Sequence, residues 1–376
     1  MRILVLCHEY PPVGGGGGRV AQDICQELAR RDYELIVLTA HLKGLPLQET
    51  LQGVQIIRVP SFRRTAFKAG LLPLSGYVLA GLWVGLRLTK QWRPNLIHVH
   101  FAVPSGAVAW VLHRARHIPY VLTAHLGDVP GGVPEKTAGW FRWIYPFTPP
   151  IWKDAARVAA VSKHTRQLAL AHYPVEIQVI PNGVDLAHLN PGTIQPGSPP
   201  QIVFVGRFMP QKNPLQVVHT LAALKDLSWK CLMIGDGPLR GQVEEAVAES
   251  GLSERIYLTG WITPEQVIAH YQQSDILFMP SLSEGFPVSG VQALAMGLAI
   301  LASRVGGWVD LVADQVNGYL VAAGEEERFT SSLRDLLCDP QLLLNFRLAS
   351  RRRAKQFDLA AVVDEYSKIY QEIVAP

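Results

Sequence analysis

Ser283-Glu284-Gly285-Phe286-Pro287-Val288-Ser289-Gly290-Val291-Gln292-Ala293-Leu294-Ala295-Met296-Gly297 decides how the chain is read. It follows an apolar run, Asp275-Ile276-Leu277-Phe278-Met279-Pro280, of the kind that forms a buried parallel strand. The helical pattern beyond the run predicts a loop and a helix N-terminus at the carboxyl end of that strand. In an open α/β sheet, ligands bind at such ends. Unpaired N–H groups and the positive end of the helix dipole suit a phosphate there. Glu284 precedes the helix and Gln292 lies about two turns along it, so the stretch suits a sugar nucleotide.

Working outward, the second half opens with Gln201-Ile202-Val203-Phe204-Val205-Gly206, a strand ending at Gly206-Arg207. Lys212 follows, then Asn213 and Pro214, a cap and first-turn pair for the next helix. Two cations at a strand mouth beside a helix N-terminus make an anion clamp, since Arg chelates a diphosphate and Lys adds a point charge. Further strands end at Gly235-Asp236-Gly237-Pro238 and at Gly260-Trp261-Ile262. At the latter, Trp261 and Ile262 offer a flat ring and free backbone to a base. Thr263-Pro264-Glu265-Gln266 reads as a capping box. Gly306-Gly307 falls in a loop, Asn317 to Val321 reads as an edge strand, and the end is helical.

In the first half, Arg2 to Cys7 reads as a buried strand, followed by a loop of five glycines, Gly14 to Gly18. Next comes a helix with Val20, Ile24, Cys25 and Leu28 on one face. Strand, glycine loop and helix let backbone approach a phosphate or sugar. Further strands run over 35–39, 54–59, 96–100, 120–123 and 157–161, the last leading to Ser162 as a helix N-cap. Strands alternating with helices predict a doubly wound α/β domain. His98, His100 and His125 stand at strand ends, where packing and ligand contact are both open readings.

A chain of 376 residues suggests two domains. We place them at 1–190 and 201–356, with an uncharged, proline-rich linker at 191–200 and a final helical segment at 357–376. A content of 48% hydrophobic and 18% charged residues excludes a disordered chain. Cys7, Cys25, Cys231 and Cys338 lack metal-type spacing and fit core packing in a reducing compartment, with the cytoplasm as the default. The start carries no signal-peptide pattern.

Net charge is +4, yet no Asp or Glu occurs between Glu49 and Asp128. Arg58, Arg63, Arg64, Lys68, Arg87, Lys90, Arg93, Arg114 and Arg116 all fall there. A one-sided basic region implies an acidic partner, and no nucleic-acid motif accompanies it. Within it, Ala69 to Leu86 is about as long as a bilayer is thick. Pro73, Ser75, Gly70, Gly76 and Gly81 interrupt it, so we read a core-facing helix with a loop, a transmembrane span being the lesser alternative. Phe62-Arg63-Arg64, Phe67-Lys68 and Trp140-Phe141-Arg142-Trp143-Ile144-Tyr145 mix aromatics with cations. Such a mixture suits an anionic membrane interface as well as an ordinary solvated edge.

Taken in order, these motifs resemble the family 4 glycosyltransferases, retaining enzymes of the GT-B fold. The match comprises Gly14–Gly18, Thr123-Ala124-His125, Val161-Ser162, Ile180-Pro181-Asn182-Gly183-Val184-Asp185, Gly206-Arg207 with Lys212, Gly235–Pro238 and the Glu284 loop. The resemblance implies two Rossmann-like domains facing a central cleft, the last helix crossing back to the first domain. It implies that Arg207 and Lys212 neutralise a nucleotide-sugar diphosphate, and that Glu284 holds sugar hydroxyls. Gly206, Gly285, Phe286, Val288 and Ser289 would supply backbone near sugar and phosphate. Gly15 and Gly16 would close over the donor, and His125 would touch the transferring sugar. A lipid-linked or saccharide acceptor is implied, with neither cofactor nor metal.

One position departs from the pattern. Eight residues after Glu284 the family commonly has a second Glu for ribose hydroxyls, and here stands Gln292. Losing the charge weakens such a bond from roughly 1.5–3 to about 0.5–1.5 kcal/mol. That leaves open a non-catalytic nucleotide-sugar-binding or scaffold protein. A phosphorylase or epimerase on this fold fits less well, because the Lys expected for pyridoxal phosphate has no counterpart. Asp32, where related sequences usually have Gly, reads as a surface variation.

Overall fold

The computed structural model describes residues 1–66, 69–133 and 142–375. Phe67, Lys68, Trp140 and Phe141 lie outside these residues, and Arg142 is described only in its backbone. The chain folds as two compact units: Met1–Gly183 with Leu359–Pro376, and Val184–Asp358.

Unit 1 is an eight-stranded sheet: β1 Arg2–Leu6, β2 Glu34–Leu42, β3 Gln48–Leu51, β4 Val54–Arg63, β5 Leu96–His100, β6 Tyr120–Ala124, β7 Arg157–Ala160 and β8 Ile177–Val179. Their order is β3-β4-β2-β1-β5-β6-β7-β8, parallel except for the β3–β4 hairpin. Ile3 to Leu6 and Leu96 to His100 are buried throughout, as expected of strands covered on both faces. Helices α1 Gly16–Arg30, α2 Leu71–Trp92, α3 Ser105–Arg116, α4 Pro149–Lys153 and α5 Lys163–Leu170 connect them. Ser162 caps α5 by accepting from Thr165 N at 3.0 Å.

Unit 2 is a parallel six-stranded sheet in the order β11-β10-β9-β12-β13-β14. Its strands are β9 Gln201–Val205, β10 Lys230–Ile234, β11 Ile256–Gly260, β12 Ile276–Met279, β13 Ala299–Ser303 and β14 Gly318–Val321. Its helices are α6 Pro214–Ala222, α7 Arg240–Glu249, α8 Pro264–Gln272, α9 Val288–Ala295, α10 Trp308–Leu311, α11 Glu326–Cys338 and α12 Pro340–Ala354. Helix α13, Leu359–Val374, belongs to unit 1. There it packs on α1 and ties down by Arg31 Nη1 to Asp364 at 2.5 Å and Arg157 to Glu372 at 3.6 Å.

Several expectations change. Helix α1 begins at Gly16, so the glycine run is half loop and half first turn. The boundary between units falls at Gly183, before the proline-rich stretch rather than within it. That stretch is strapped onto the rest of unit 2 by the buried pair Arg347–Asp275: Arg347 donates to Gln195 O as well as to Gly297 O, and Asp275 accepts from Gly197 N and Gln201 N. A buried ion pair needs such partners. Asn213 precedes α6 in the left-handed conformation, φ 50°, and makes no side-chain cap. Cys338 is exposed, while the other three cysteines are buried, and all four are free. Asp32 is more than a surface variation, since its φ of 60° is one that favours glycine.

The basic stretch is also less open than its sequence suggests. Arg58 and Arg63 are buried and paired with Glu49 at 2.5 Å and Glu9 at 3.5 Å. Residues 71–92 form one helix with no loop inside it, and it does face the core: Tyr77 is buried there, and Val78, Val84, Leu88 and Trp92 pack against it. Gly76, Gly81 and Gly85 are all buried, so they serve packing and do not end the helix.

Candidate functional site

In each unit the strand order reverses beside the first strand, and a polar cluster stands at that point. In unit 2 the reversal lies between β9 and β12. Chain leaving β9 passes Gly206-Arg207 and makes a short 3₁₀ turn, Pro210–Lys212. Chain leaving β12 carries Glu284. Two hydrogen bonds lace these loops together: Leu282 N to Gln211 O at 2.7 Å and Gln211 Nε2 to Ser283 O at 2.9 Å.

Lys212 Nζ then reaches Glu284 Oε1 at 2.5 Å, and Ser281 Oγ donates to the same oxygen at 2.8 Å. Lys212 of the expected Arg207 and Lys212 clamp thus already holds a carboxylate. Glu284 is only 5% exposed, and a buried carboxylate needs such partners. Helix α9 starts four residues later. Val288 and Ser289 are its first residues, whose N–H groups have no carbonyl a turn earlier to bond. Phe286 offers only backbone, since its ring is buried 5.4 Å from that of Phe357.

Glycines set this geometry. Gly306 has φ +52°, and a Cβ there would lie 1.7 Å from Glu284 O. At Gly307 a Cβ would lie 2.3 Å from Gly285 O, and Gly307 N donates to Glu284 O at 3.2 Å. On the other flank, a Cβ at Gly235 would meet Gly206 O at 1.9 Å. Bare backbone therefore braces the Glu284 loop and the Gly206 turn from both sides.

Trp261 and Ile262 stand at the edge of this sheet, at the end of β11. Trp261 is 50% exposed. With β10 and β9 between β11 and β12, the separation is about 14 Å at one strand spacing per step. The Thr263–Gln266 capping box is formed as expected. Gln292 is half-buried in the second turn of α9.

In unit 1 the reversal lies between β1 and β5. Gly15 and Gly16 are exposed at the start of α1, and a Cβ at Gly15 would meet nothing within 4 Å. Gly17 is tight: its Cβ would sit 2.5 Å from Phe101 Cζ and 3.4 Å from His125 Nδ1. The His125 and Phe101 rings pack with centroids 4.6 Å apart. His125 Nε2 bonds His100 Nδ1 at 3.0 Å, and the His100 ring lies 4.3 Å from that of His98. His98 bonds Thr123 Oγ1 at 2.9 Å and Tyr370 OH of α13 at 2.8 Å, while Thr123 also bonds Tyr366 OH.

Burial pushes His98 and His125 down to about 3, and His100 well below its ordinary value. All three are neutral near pH 7. His100 Nε2 is buried and has no partner among the described residues. An orphaned acceptor is easier to tolerate than an orphaned N–H. His100 Nδ1–H therefore donates to His125 Nε2, which leaves the His125 proton on Nδ1, the nitrogen beside Gly17.

Sequence reading passed over Ser281, Asp128 and His100's role. Asp128 accepts from Ala102 N at 2.6 Å and His125 N at 2.9 Å, joining the loops after β5 and β6. Its signal was the spacing in Thr-Ala-His-Leu-Gly-Asp. For Ser281, three residues before Glu284, there was none.

These two doubly wound units, each with a glycine-bounded polar cluster at its reversal point, define an α/β protein that receives ligands at strand ends. The family description Glycosyltransferase Family 4 matches residues 14–188, and Glycosyl transferases group 1 matches 191–355. The 2-deoxystreptamine glucosyltransferase of Streptomyces kanamyceticus is 30% identical over 338 residues, 82% of this chain and 86% of that protein. Sucrose-phosphate synthase of Thermosynechococcus elongatus shares the fold with TM-score 0.87 at 22% identity, over 100% of this chain and 99% of that one. Anabaena HepE, solved with UDP and glucose, shares it with TM-score 0.76 at 17% identity, over 98% of each chain. The chain belongs to the group 1 glycosyltransferases of the family 4 type, and its fold is GT-B.

Proposed function

We propose that the protein is a retaining hexosyltransferase that moves a sugar from a nucleoside-diphosphate sugar to a lipid-linked or saccharide acceptor. The observation that carries this reading is the Lys212–Glu284 pair at the β9/β12 reversal, beside the N-terminus of α9. A diphosphate brings negative charge that Arg207, Lys212 and the N–H groups of Val288 and Ser289 can meet. Glu284 then accepts from sugar hydroxyls, Gln292 bonds the ribose, and Trp261 with Ile262 flank the base.

In the reaction, the anomeric C–O bond to the diphosphate breaks and its electron pair stays on the departing oxygen. The acceptor hydroxyl bonds the anomeric carbon on the same face, and its proton passes to that phosphate oxygen. Cations fixed where this charge develops lower the barrier, so the step uses no metal. His125, being neutral, offers the sugar a hydrogen bond and no charge. Such an acceptor places the reaction in cell-envelope or polysaccharide assembly, on the cytoplasmic face of a membrane.

A thermal-shift screen with UDP-, GDP- and ADP-sugars, UDP-glucose first, names the donor, and turnover with that donor completes the test. Arg207→Ala is expected to abolish both transfer and donor hydrolysis. Binding of a donor without turnover on any acceptor would replace this reading with a nucleotide-sugar-binding protein, as Gln292 suggests. No stabilisation by any donor would reject the site itself.

A further inference from the structure

Helix α2 is apolar on both faces: Val78, Val84, Leu88 and Trp92 pack against the core of unit 1, and other large residues face outward. Its buried residues are Gly76, Tyr77, Gly81, Gly85 and Thr89. A Cβ at Gly85 would lie 3.0 Å from Leu112 and one at Gly81 3.5 Å from Val108, so small residues seat α2 close against α3. At Gly76 the neighbours are Ser61 and Phe62 of β4. A helix on the surface of a globular protein ordinarily turns its large apolar residues inward. Here Leu72, Leu79 and Trp83 are 67%, 70% and 67% exposed.

At 3.6 residues per turn, Leu72, Leu79, Trp83 and Lys90 fall within about 20° of one line along the helix. Beside that stripe lies the exposed Arg87, its guanidinium 6.0 Å from the Trp83 ring. Phe62, packed against Gly76 and 68% exposed, widens the patch, and Arg64 follows it. Arg93, exposed, ends the helix. The patch is thus an aliphatic and aromatic strip ending in cations, in a part of the sequence with no carboxylate from residue 50 to 127.

We infer that α2 lies in the headgroup region of an anionic phospholipid bilayer, its outer face turned to the lipid. Charge complementarity selects this occupant. A cationic apolar strip gains from acyl chains and anionic headgroups together, whereas a second copy would set Arg87, Lys90 and Arg93 against their equals. The helix is long and apolar enough to cross a membrane. Its buried residues, however, are committed to β4 and α3, which keeps it in the plane of the surface. The inference holds whether or not the proposed acceptor is a lipid.

The test is flotation of the whole chain with vesicles of phosphatidylcholine alone or with phosphatidylglycerol added. Binding is expected to the mixed vesicles, to weaken steeply between low salt and 0.5 M salt, and to be slight on phosphatidylcholine. Leu79→Ser with Trp83→Ser should weaken it about 100-fold. These side chains are exposed, so the variant should melt at the parent temperature and keep its activity on a water-soluble acceptor. Arg87→Gln with Lys90→Gln should bind weakly and lose the salt dependence. Equal binding by parent and Leu79/Trp83 variant, or none at low salt, would overturn the inference. So would a dimer in solution that those substitutions dissociate.

Discussion

The two reversal points do the same topological job with opposite chemistry. Unit 2 builds its site from charge: Lys212 against Glu284 at 2.5 Å, with Arg207 on the same loop, over glycine backbone. Unit 1 builds its site from three neutral imidazoles, a phenyl ring and an exposed glycine turn. The difference bears on which chemical group each can hold. A diphosphate needs fixed cations, while a sugar needs hydrogen bonds from groups that do not change charge.

Breaking the charged pair should have the largest effect. Lys212→Ala strands the buried Glu284 carboxylate and is expected to destabilise unit 2 by about 3 kcal/mol or more, besides removing transfer. Lys212→Met with Glu284→Gln should recover most of that stability in urea unfolding and none of the activity. A single variant as stable as the parent would show that the pair does not hold the site.

Acid sharpens the contrast. The three histidines are held below their ordinary value, so the unfolded chain takes up protons first as pH falls through about 6.5. Their contribution is fully present above that pH and is lost progressively as pH falls towards about 3. Each histidine should remove on the order of 1 kcal/mol per pH unit below 6.5. Urea unfolding of the whole chain at pH 7.5 and 5.5 measures this, and His98→Gln should flatten the slope by one proton. A slope unchanged by His98→Gln would mean the imidazoles are protonated in the fold.

Gln292→Glu tests the site's weak point. Donor affinity should rise by about tenfold or less, read by calorimetry, since 1.4 kcal/mol is one decade. A fall in affinity would place Gln292 away from the ribose. Smallest of all, EDTA should leave the rate unchanged under the proposal that Arg207 and Lys212 meet the leaving charge; a rate lost in EDTA and restored by a divalent cation would contradict it.

Strand-end placement made most of the fold readable before any coordinates. Buried strands announce themselves as β-branched and leucine runs, and the turns after them carry the glycines and caps. What was not readable arises from contacts distant in sequence. Lys212 and Glu284 are 72 residues apart, so their pairing could not be inferred from either loop. His100 orients His125 only because β5 and β6 are neighbours. Gly306 and Gly307 looked like loop residues until the Glu284 backbone lay against them. Helix α2 faces the core as its composition suggested, but Pro73, Gly76 and Gly81 do not interrupt it, and its apolar residues on the other face, Leu79 and Trp83, are left outside.

The central claim is that unit 2 holds the diphosphate by charge and unit 1 serves the sugar without it. Calorimetric affinity for the donor's nucleoside diphosphate, alone and against transfer rate, tests it in three proteins. In Arg207→Ala the affinity should fall at least about tenfold. In His125→Ala it should stay at the parent value while transfer falls about 10- to 100-fold. A nucleoside diphosphate bound as tightly by Arg207→Ala as by the parent, or lost in His125→Ala, would contradict the account.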